Sequence, residues 1–147
     1  MPNNNVLDVA SAIIEASNEI ENCRHKITNL RLQKLLYFVQ GYCYSETKEP
    51  MFNQEMEAWK LGPVSIEAYN KYCAYGSSQI PNQQEHTNLS EEDENIIKTI
   101  VYELKDVSTW DLVEETHKES PWKFAYNFLG NRSIIKNEYI RKEFAQE

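Results

Sequence analysis

The sequence has no long apolar run and no block of basic residues. No apolar stretch approaches the length that spans a bilayer, and the N-terminus lacks the basic-then-apolar pattern of a signal peptide. The formal net charge is -8, so phosphate backbones are repelled on average. These absences argue against a membrane protein and against direct binding of nucleic acid. They favour a protein partner of basic character.

Cysteine is also scarce, with only Cys23, Cys43 and Cys73, which lie far apart. An odd number of cysteines without an export signal predicts free thiols in a reducing cytoplasm. Cys23 and His25 are separated by one residue, but no second pair at ligand spacing follows. We therefore expect a cytoplasmic protein with no metal and no cofactor.

The length and composition are those of an ordinary globular domain. The chain has 147 residues, of which 41% are hydrophobic and 26% charged, and it contains no internal repeat or long linker. We expect one domain over residues 1–147. Periodicity and capping residues predict helices over about 6–17, 29–44, 65–76, 91–104, 109–118, 121–129 and 138–145. The predicted fold is mainly α, a compact bundle of about six to seven helices, with a short β element near 56–60 and 133–135.

The segment Glu57-Ala-Trp-Lys-Leu-Gly-Pro-Val64 couples a tryptophan to a backbone turn. Gly62 permits backbone angles that other residues avoid, and Pro63 fixes its own φ and biases Gly62 away from the helical region. The chain is therefore expected to turn sharply just after Trp59.

A second segment, Thr116-His-Lys-Glu-Ser-Pro-Trp122, has a similar character. Ser120 is suited to cap a new helix whose first position is Pro121, where a missing N–H costs nothing. Trp122 then falls in the first turn of that helix. We expect Trp59 and Trp122 both to be largely buried, with the Gly62-Pro63 turn near the start of the Pro121 helix.

A third segment, L-Q-K-L-L-Y-F-V-Q over residues 32–40, precedes both of these. With all three in this order, the chain resembles the Panacea-domain proteins, also called SocA-like antitoxins and described as phage-associated proteins. That family has L-Q-K-L-L-Y-x-x-Q, then E-A-W-x-x-G-P-V, then T-H-x-E-x-P-W, and the flanks of these motifs cover nearly the whole chain here. The resemblance implies an antitoxin that neutralises a cognate protein toxin by direct binding. It marks a structural or functional corner composed of Gln33, Lys34, Glu57, Trp59, Gly62, Pro63, His117, Glu119, Pro121 and Trp122.

Two other functions are open at this point. SocA-like members suggest a proteolytic adaptor that delivers the toxin to a protease. An enzyme that uses Glu57, His117 and Glu119 is the alternative from a different class. The sequence has no nucleophile elbow, no Gly-rich phosphate loop and no H-E-x-x-H pair, so we expect no enzyme. The structural interpretation is that His117 and Glu119 hydrogen-bond across the helix break and orient Trp122 or Trp59.

Gln33 and Lys34 lie in the helix predicted over 29–44, which is apolar around most of its circumference and is expected at the centre of the fold. Two interpretations of Lys34 are open. It points outward beside the aliphatic stripe, or, set beside the family resemblance, Gln33 and Lys34 reach the Glu57 carboxylate and complete a charge-paired corner.

Tyrosine is frequent, with nine residues, and Tyr69, Tyr72 and Tyr75 follow directly on the predicted turn. Aromatic side chains are enriched among interface anchors, so these three are the candidate toxin-binding residues. The alternative is that they pack in the core. The acidic turn at 91–94 is then the next candidate for a basic toxin surface, although such a turn normally complements the helix dipole.

Overall fold

The computed structural model describes residues 4–83 and 88–145, and its fold is mainly α. Seven α-helices lie in the described residues: α1 Val6–Asn18, α2 Asn29–Thr47, α3 Ile66–Tyr72, α4 Glu91–Glu103, α5 Thr109–Lys118, α6 Ser120–Phe124 and α7 Asn137–Ala145. Three short strands, β1 Met56–Trp59, β2 Gly62–Val64 and β3 Ser133–Ile135, form an antiparallel sheet in the order β2-β1-β3. The predicted fold class and the pairing of the two extended segments are both confirmed.

Most helices begin at the predicted polar residue. Side chains accept a backbone N–H of the first turn at Asn5, Thr28, Ser65 and Ser90. The start of α6 differs, because Glu119 occupies the cap position and forms no side-chain cap bond. The predicted Ser120 cap is therefore wrong. The Ser120 backbone is already helical, and its hydroxyl donates instead to the Glu143 carboxylate of α7, at 2.7 Å from Oε1.

Helix α2 is the centre of the fold, as its apolar circumference predicts. Every residue from 31 to 41 is buried, and the helix contacts α1, α3, α4, α5, α7 and β2. Its approach to α7 is close, since a Cβ on Gly41 would lie 2.5 Å from the Phe144 ring. A larger residue at position 41 would force the two helices apart.

The remaining connections set the position of β3. The connection after α3 has no regular structure over residues 77–83, and residues 84–87 lie outside the described part of the chain. After α6 the chain makes a wider, π-type turn over Ala125–Leu129, closed by a bond from Gly130 N–H to the Ala125 carbonyl at 2.9 Å. The chain then returns as β3 beside β1. None of the helices in the described part of the chain is long and apolar enough to cross a membrane.

Candidate functional site: a polar corner with two faces

The β1–β2 turn lies against helix α5, and Gly62 is required there for two reasons. Its φ is +113°, a region that residues with a Cβ rarely adopt. A Cβ at this position would also lie 2.7 Å from Thr116 Oγ1 and 3.1 Å from Lys34 Cε. The predicted sharp turn is confirmed, and the neighbouring side chains leave no room for a larger residue.

Lys34 lies under this turn and is 0% exposed. Its Nζ donates a hydrogen bond of 2.8 Å to the Pro63 carbonyl, and no carboxylate among the described residues forms an ion pair with it. Burial lowers the pKa of Lys34 to about 7, because the charged form loses its hydration without gaining a counter-charge. Both interpretations of Lys34 are thus wrong: it neither points outward nor reaches Glu57.

Gln33 holds the same strand from the neighbouring position on α2. Its Oε1 accepts the Ser65 backbone N–H at 2.8 Å, and its Nε2 donates to Asn29 Oδ1 at 3.0 Å. Asn29 in turn donates to the Tyr69 carbonyl in α3 at 3.2 Å. Gln33 therefore anchors the end of β2 and the start of α3 to the central helix, and it does not contact Glu57.

Trp122 joins the second motif to the first. It is 7% exposed, and its indole N–H donates to the Trp59 carbonyl at 2.8 Å. The ring is sandwiched between His117, at 4.0 Å between centroids, and Tyr126, at 4.7 Å. The predicted burial of Trp122 and the predicted proximity of the two motifs are confirmed.

His117 orients Trp122 by stacking rather than by a hydrogen bond. Burial lowers the pKa of His117 most, and the Lys34 charge lowers it further, whereas a hydrogen bond with the Lys60 backbone acts in the opposite direction. The net shift favours the neutral ring, which stacks on an indole without the cost of desolvating a charge.

Glu119 belongs to a separate cluster at the α5–α6 junction. It accepts a hydrogen bond of 2.7 Å from the Tyr37 hydroxyl and does not bond to His117. Burial most of all, together with the neighbouring carboxyl groups of Glu115 and Glu143, raises the pKa of Glu119 to about 7 against the opposing effect of the Tyr37 bond. The predicted bond across the helix break is therefore wrong, and Glu119 contacts α2 through Tyr37 instead.

The outer face of the corner comprises Glu57, Trp59, Tyr69 and Arg132. Trp59 is partly exposed and is therefore less buried than Trp122. Alternation along β1 explains this, since Met56 and Ala58 take the core side of the strand. The Trp59 ring lies 4.8 Å from the Tyr69 ring and 4.5 Å from the Arg132 guanidinium.

Glu57 completes the outer face as an acceptor. It accepts the Trp59 indole N–H at 2.9 Å and lies 3.5 Å from Arg132 Nε. The three candidate catalytic residues thus have different partners, because Glu57 contacts Arg132, His117 contacts Trp122 and Glu119 contacts Tyr37. Across residues 4–83 and 88–145, no group of three or more His, Cys, Asp or Glu side chains is placed to hold a metal ion.

The three candidate tyrosines have different environments. Tyr69 is half-buried and Tyr75 is 38% exposed, whereas Tyr72 is 1% exposed. The expectation that Tyr72 is accessible is wrong, because it lies one helical turn after buried Ala68 on the core side of α3. The assignment of toxin binding to Tyr69 and Tyr75 stays a prediction.

Sequence reasoning missed several residues that position the corner. Thr116 is fully buried against Gly62, and Gln40 spans the 51–52 backbone, donating to the Phe52 carbonyl at 2.7 Å and accepting the Met51 N–H at 2.8 Å. Both belong to the quoted motifs, so a signal was present. Arg132 carries no such signal, because its contact with Trp59 depends on how β3 returns to β1.

Comparison with known proteins agrees with these motifs. The family described as "Antitoxin SocA-like, Panacea domain" matches residues 32–123. Antitoxin SocA from Caulobacter vibrioides (strain NA1000 / CB15N) is 44% identical over 57 residues, which cover 39% of this chain and 30% of that protein. The match thus spans less than a third of that relative's length. No solved structure matches the chain. Because the family match covers more than half of the sequence, the chain belongs to the SocA-like antitoxin family with a Panacea domain.

Proposed function

We propose that this chain is an antitoxin that neutralises a cognate protein toxin by binding it directly, without catalysis and as one Panacea domain. Membership of the SocA-like family supports the antitoxin role, and a relative with a matching segment is named an antitoxin. The separate partners of Glu57, His117 and Glu119 support a non-enzymatic role, because a catalytic site needs such groups within reach of one reacting atom.

The observation that carries the proposal is the outer face. Trp, Tyr and Arg are the residue types that dominate binding energy at interfaces, and here one of each packs together on a partly exposed surface. The Trp59 ring is held by Tyr69, by Arg132 and by its own bond to Glu57. Side chains fixed before binding lose little conformational freedom on complex formation.

Exposure and charge extend this surface toward the partner. Tyr75 follows α3 and is exposed, whereas buried Tyr72 fixes the helix that presents Tyr69. The net charge of -8 would attract a basic toxin and raise the association rate more than the final affinity. We therefore assign toxin contact to Trp59, Tyr69 and Arg132 of the outer face and to Tyr75.

The test is co-expression of the chain with the product of its adjacent gene, scored for growth rescue and co-purification, followed by titration of the purified proteins. Tyr69→Ala and Arg132→Ala should each weaken the complex by about 2 kcal/mol, or about thirtyfold in Kd. Trp110→Ala is the matched control, since Trp110 is an aromatic residue that is 60% exposed on α5. If both outer-face variants fold and bind like the parent, toxin binding does not use this face.

Toxin abundance in the same cells separates the two ways of neutralising. Direct occlusion leaves the amount of toxin unchanged while growth recovers. A fall in toxin that requires a protease would instead support the proteolytic adaptor. If the chain neither rescues growth nor co-purifies with the neighbouring product, the antitoxin proposal is wrong for that pair.

A further inference from the structure

Exposed apolar side chains collect on the outside of α6 and the turn that follows it. Eight large hydrophobic residues are exposed in the described part of the chain, and four of them fall between residues 124 and 134: Phe124, Phe128, Leu129 and Ile134. Phe128 is 78% exposed, the largest fraction of the eight. Concentrated exposure of this kind marks interaction surfaces on proteins, whereas single exposed residues are ordinary.

One of these side chains, Phe124, lines a cavity between α6 and α7. The Phe124 ring lies 5.6 Å from the Phe128 ring and 5.7 Å from the Tyr139 ring, measured between centroids. The cavity has a volume of about 520 Å³ and is lined by Ser120, Phe124, Tyr139, Lys142 and Glu143. We call Phe128 together with these five lining residues the aromatic groove.

A side-chain hydrogen bond fixes one end of the groove, and a π-type turn forms the other. The bond from Ser120 Oγ to Glu143 Oε1 ties α6 to α7 at 2.7 Å. At the far end, the π-type turn over Ala125–Leu129 carries Phe128, and such turns are frequent at functional sites.

The segment of the chain that forms the groove has a net positive charge, whereas the whole chain is acidic. Residues 118–143 contain six of the 15 lysines and arginines and three of the 23 carboxylates. The cations are Lys118, Lys123, Arg132, Lys136, Arg141 and Lys142. Lys142 lines the cavity, and its approach to Glu138 is long, at 4.0 Å between exposed side chains, so it is available to an incoming carboxylate.

We propose that the aromatic groove binds an acidic peptide segment of a partner protein, with one aromatic or aliphatic side chain of that segment packed against the Phe124 and Tyr139 rings. A carboxylate of the segment then pairs with Lys142. Two grooves facing each other would bring like charges together, which disfavours a symmetric dimer through this surface. Single-stranded nucleic acid fits less well, because it carries a negative phosphate at every nucleotide and the chain as a whole is acidic.

The test begins with a random peptide library displayed on phage and selected on the purified chain. Enriched peptides should combine Asp or Glu with Phe, Trp or Leu. Fluorescein-labelled copies are then titrated by fluorescence polarisation. Phe128→Ser and Lys142→Glu should each weaken binding by about tenfold or more. Binding should also weaken as NaCl rises from about 0.05 M to about 0.5 M, because exposed charge pairs are screened.

Matched controls separate the groove from general stickiness. Trp110→Ser removes an aromatic residue that is 60% exposed elsewhere, and Lys98→Glu reverses an exposed charge on α4, so both should bind the peptides like the parent. Equal binding by the groove variants and these controls would overturn the proposal. So would an enrichment of basic peptides, or binding of a labelled oligothymidylate, or self-association abolished by Phe128→Ser, in place of acidic-peptide binding. Thermal melts of all four variants establish that they are folded.

Discussion

The corner has an inner face, which comprises Gln33, Lys34 and Trp122, and the outer face defined above. Each face contains one tryptophan, and the two tryptophans differ in burial and in hydrogen-bond partner. Trp122 is 7% exposed and its N–H donates to a backbone carbonyl, whereas Trp59 is half-buried and its N–H donates to the Glu57 side chain. His117 and Tyr126 stack on the Trp122 ring, whereas Tyr69 and the Arg132 guanidinium lie against the Trp59 ring. The same residue type fixes the backbone on one face and offers a binding surface on the other.

This difference separates folding from binding. On the inner face, Gln33 accepts the Ser65 backbone N–H, Lys34 donates to the Pro63 carbonyl and Trp122 donates to the Trp59 carbonyl. Loss of any of these side chains leaves a backbone polar group without its partner. On the outer face, the partners of Trp59 are side chains at the surface. Inner-face substitutions should therefore change the free energy of unfolding, and outer-face substitutions should change affinity.

The largest expected effect is that of Trp122→Ala. It removes a buried ring from between His117 and Tyr126 and leaves the Trp59 carbonyl without its donor. We expect the free energy of unfolding to fall by about 3–5 kcal/mol, measured by urea denaturation. Trp110→Ala, on an exposed indole, should change it by less than about 0.5 kcal/mol. Equal stability of the two variants would contradict the assignment of Trp122 to the inner face.

Lys34→Met tests the buried ammonium through its pH dependence. The pKa of Lys34 is about 7 in the folded chain and has its ordinary value near 10.5 in the unfolded chain. Between these values the unfolded state holds the additional proton, so the parent gains stability as pH rises, at up to about 1.4 kcal/mol per pH unit. The variant lacks this term. The difference in unfolding free energy between parent and variant should therefore change steadily from pH 7 to pH 9.5, and parallel curves would show that Lys34 is not desolvated.

Lys71→Met serves as the matched control, because Lys71 is exposed on α3. Its stability curve should run parallel to that of the parent over the same pH range.

Local sequence patterns were sufficient to predict most of the fold. The caps at Asn5, Thr28 and Ser90 were predictable because one side-chain oxygen decides each helix start. The same rule wrongly predicts a cap at Ser120, because the Ser120 hydroxyl donates instead to a carboxylate on α7, which is distant in sequence. The exposure of Tyr72 was not predictable, because α3 has only seven residues. Periodicity over two turns does not determine which side of such a short helix packs against the core.

The motifs predicted which residues belong to the site but not which of these residues contact one another. The motifs named Lys34, Glu57 and Glu119, yet none of these pairs with another of them. Opposite charges favour an ion pair between Lys34 and Glu57, but strand alternation puts Glu57 on the side of β1 away from α2. Arg132 was absent from the prediction because its contact with Trp59 spans the sheet and follows no local spacing.

Glu119→Gln should give a smaller, opposite pH effect. The pKa of Glu119 is raised to about 7 from an ordinary value of 4.5, so between these values the folded state holds the additional proton and the parent loses stability as pH rises. Because the carboxyl is partly exposed and shares its environment with Glu115 and Glu143, we expect a total on the order of 1 kcal/mol. Urea denaturation from pH 4.5 to pH 7.5 should show a flatter profile for the variant. Glu138→Gln, at an exposed position in α7, should retain the parental slope.

Glu57→Gln has the smallest expected effect on stability and places Glu57 in the comparison between the two faces. The glutamine oxygen can still accept the Trp59 N–H, and the pair lost with Arg132 is 3.5 Å long with the arginine side chain 56% exposed. The free energy of unfolding should therefore fall by less than about 1 kcal/mol. Toxin affinity should fall by less than about tenfold, well short of the loss expected for Tyr69→Ala, because Glu57 supports the neighbouring rings instead of contacting the partner. The measurement is a titration of each variant against the toxin, paired with a denaturation curve of the same preparation. A larger loss of affinity at parental stability would show that the Glu57 carboxylate contacts the toxin directly.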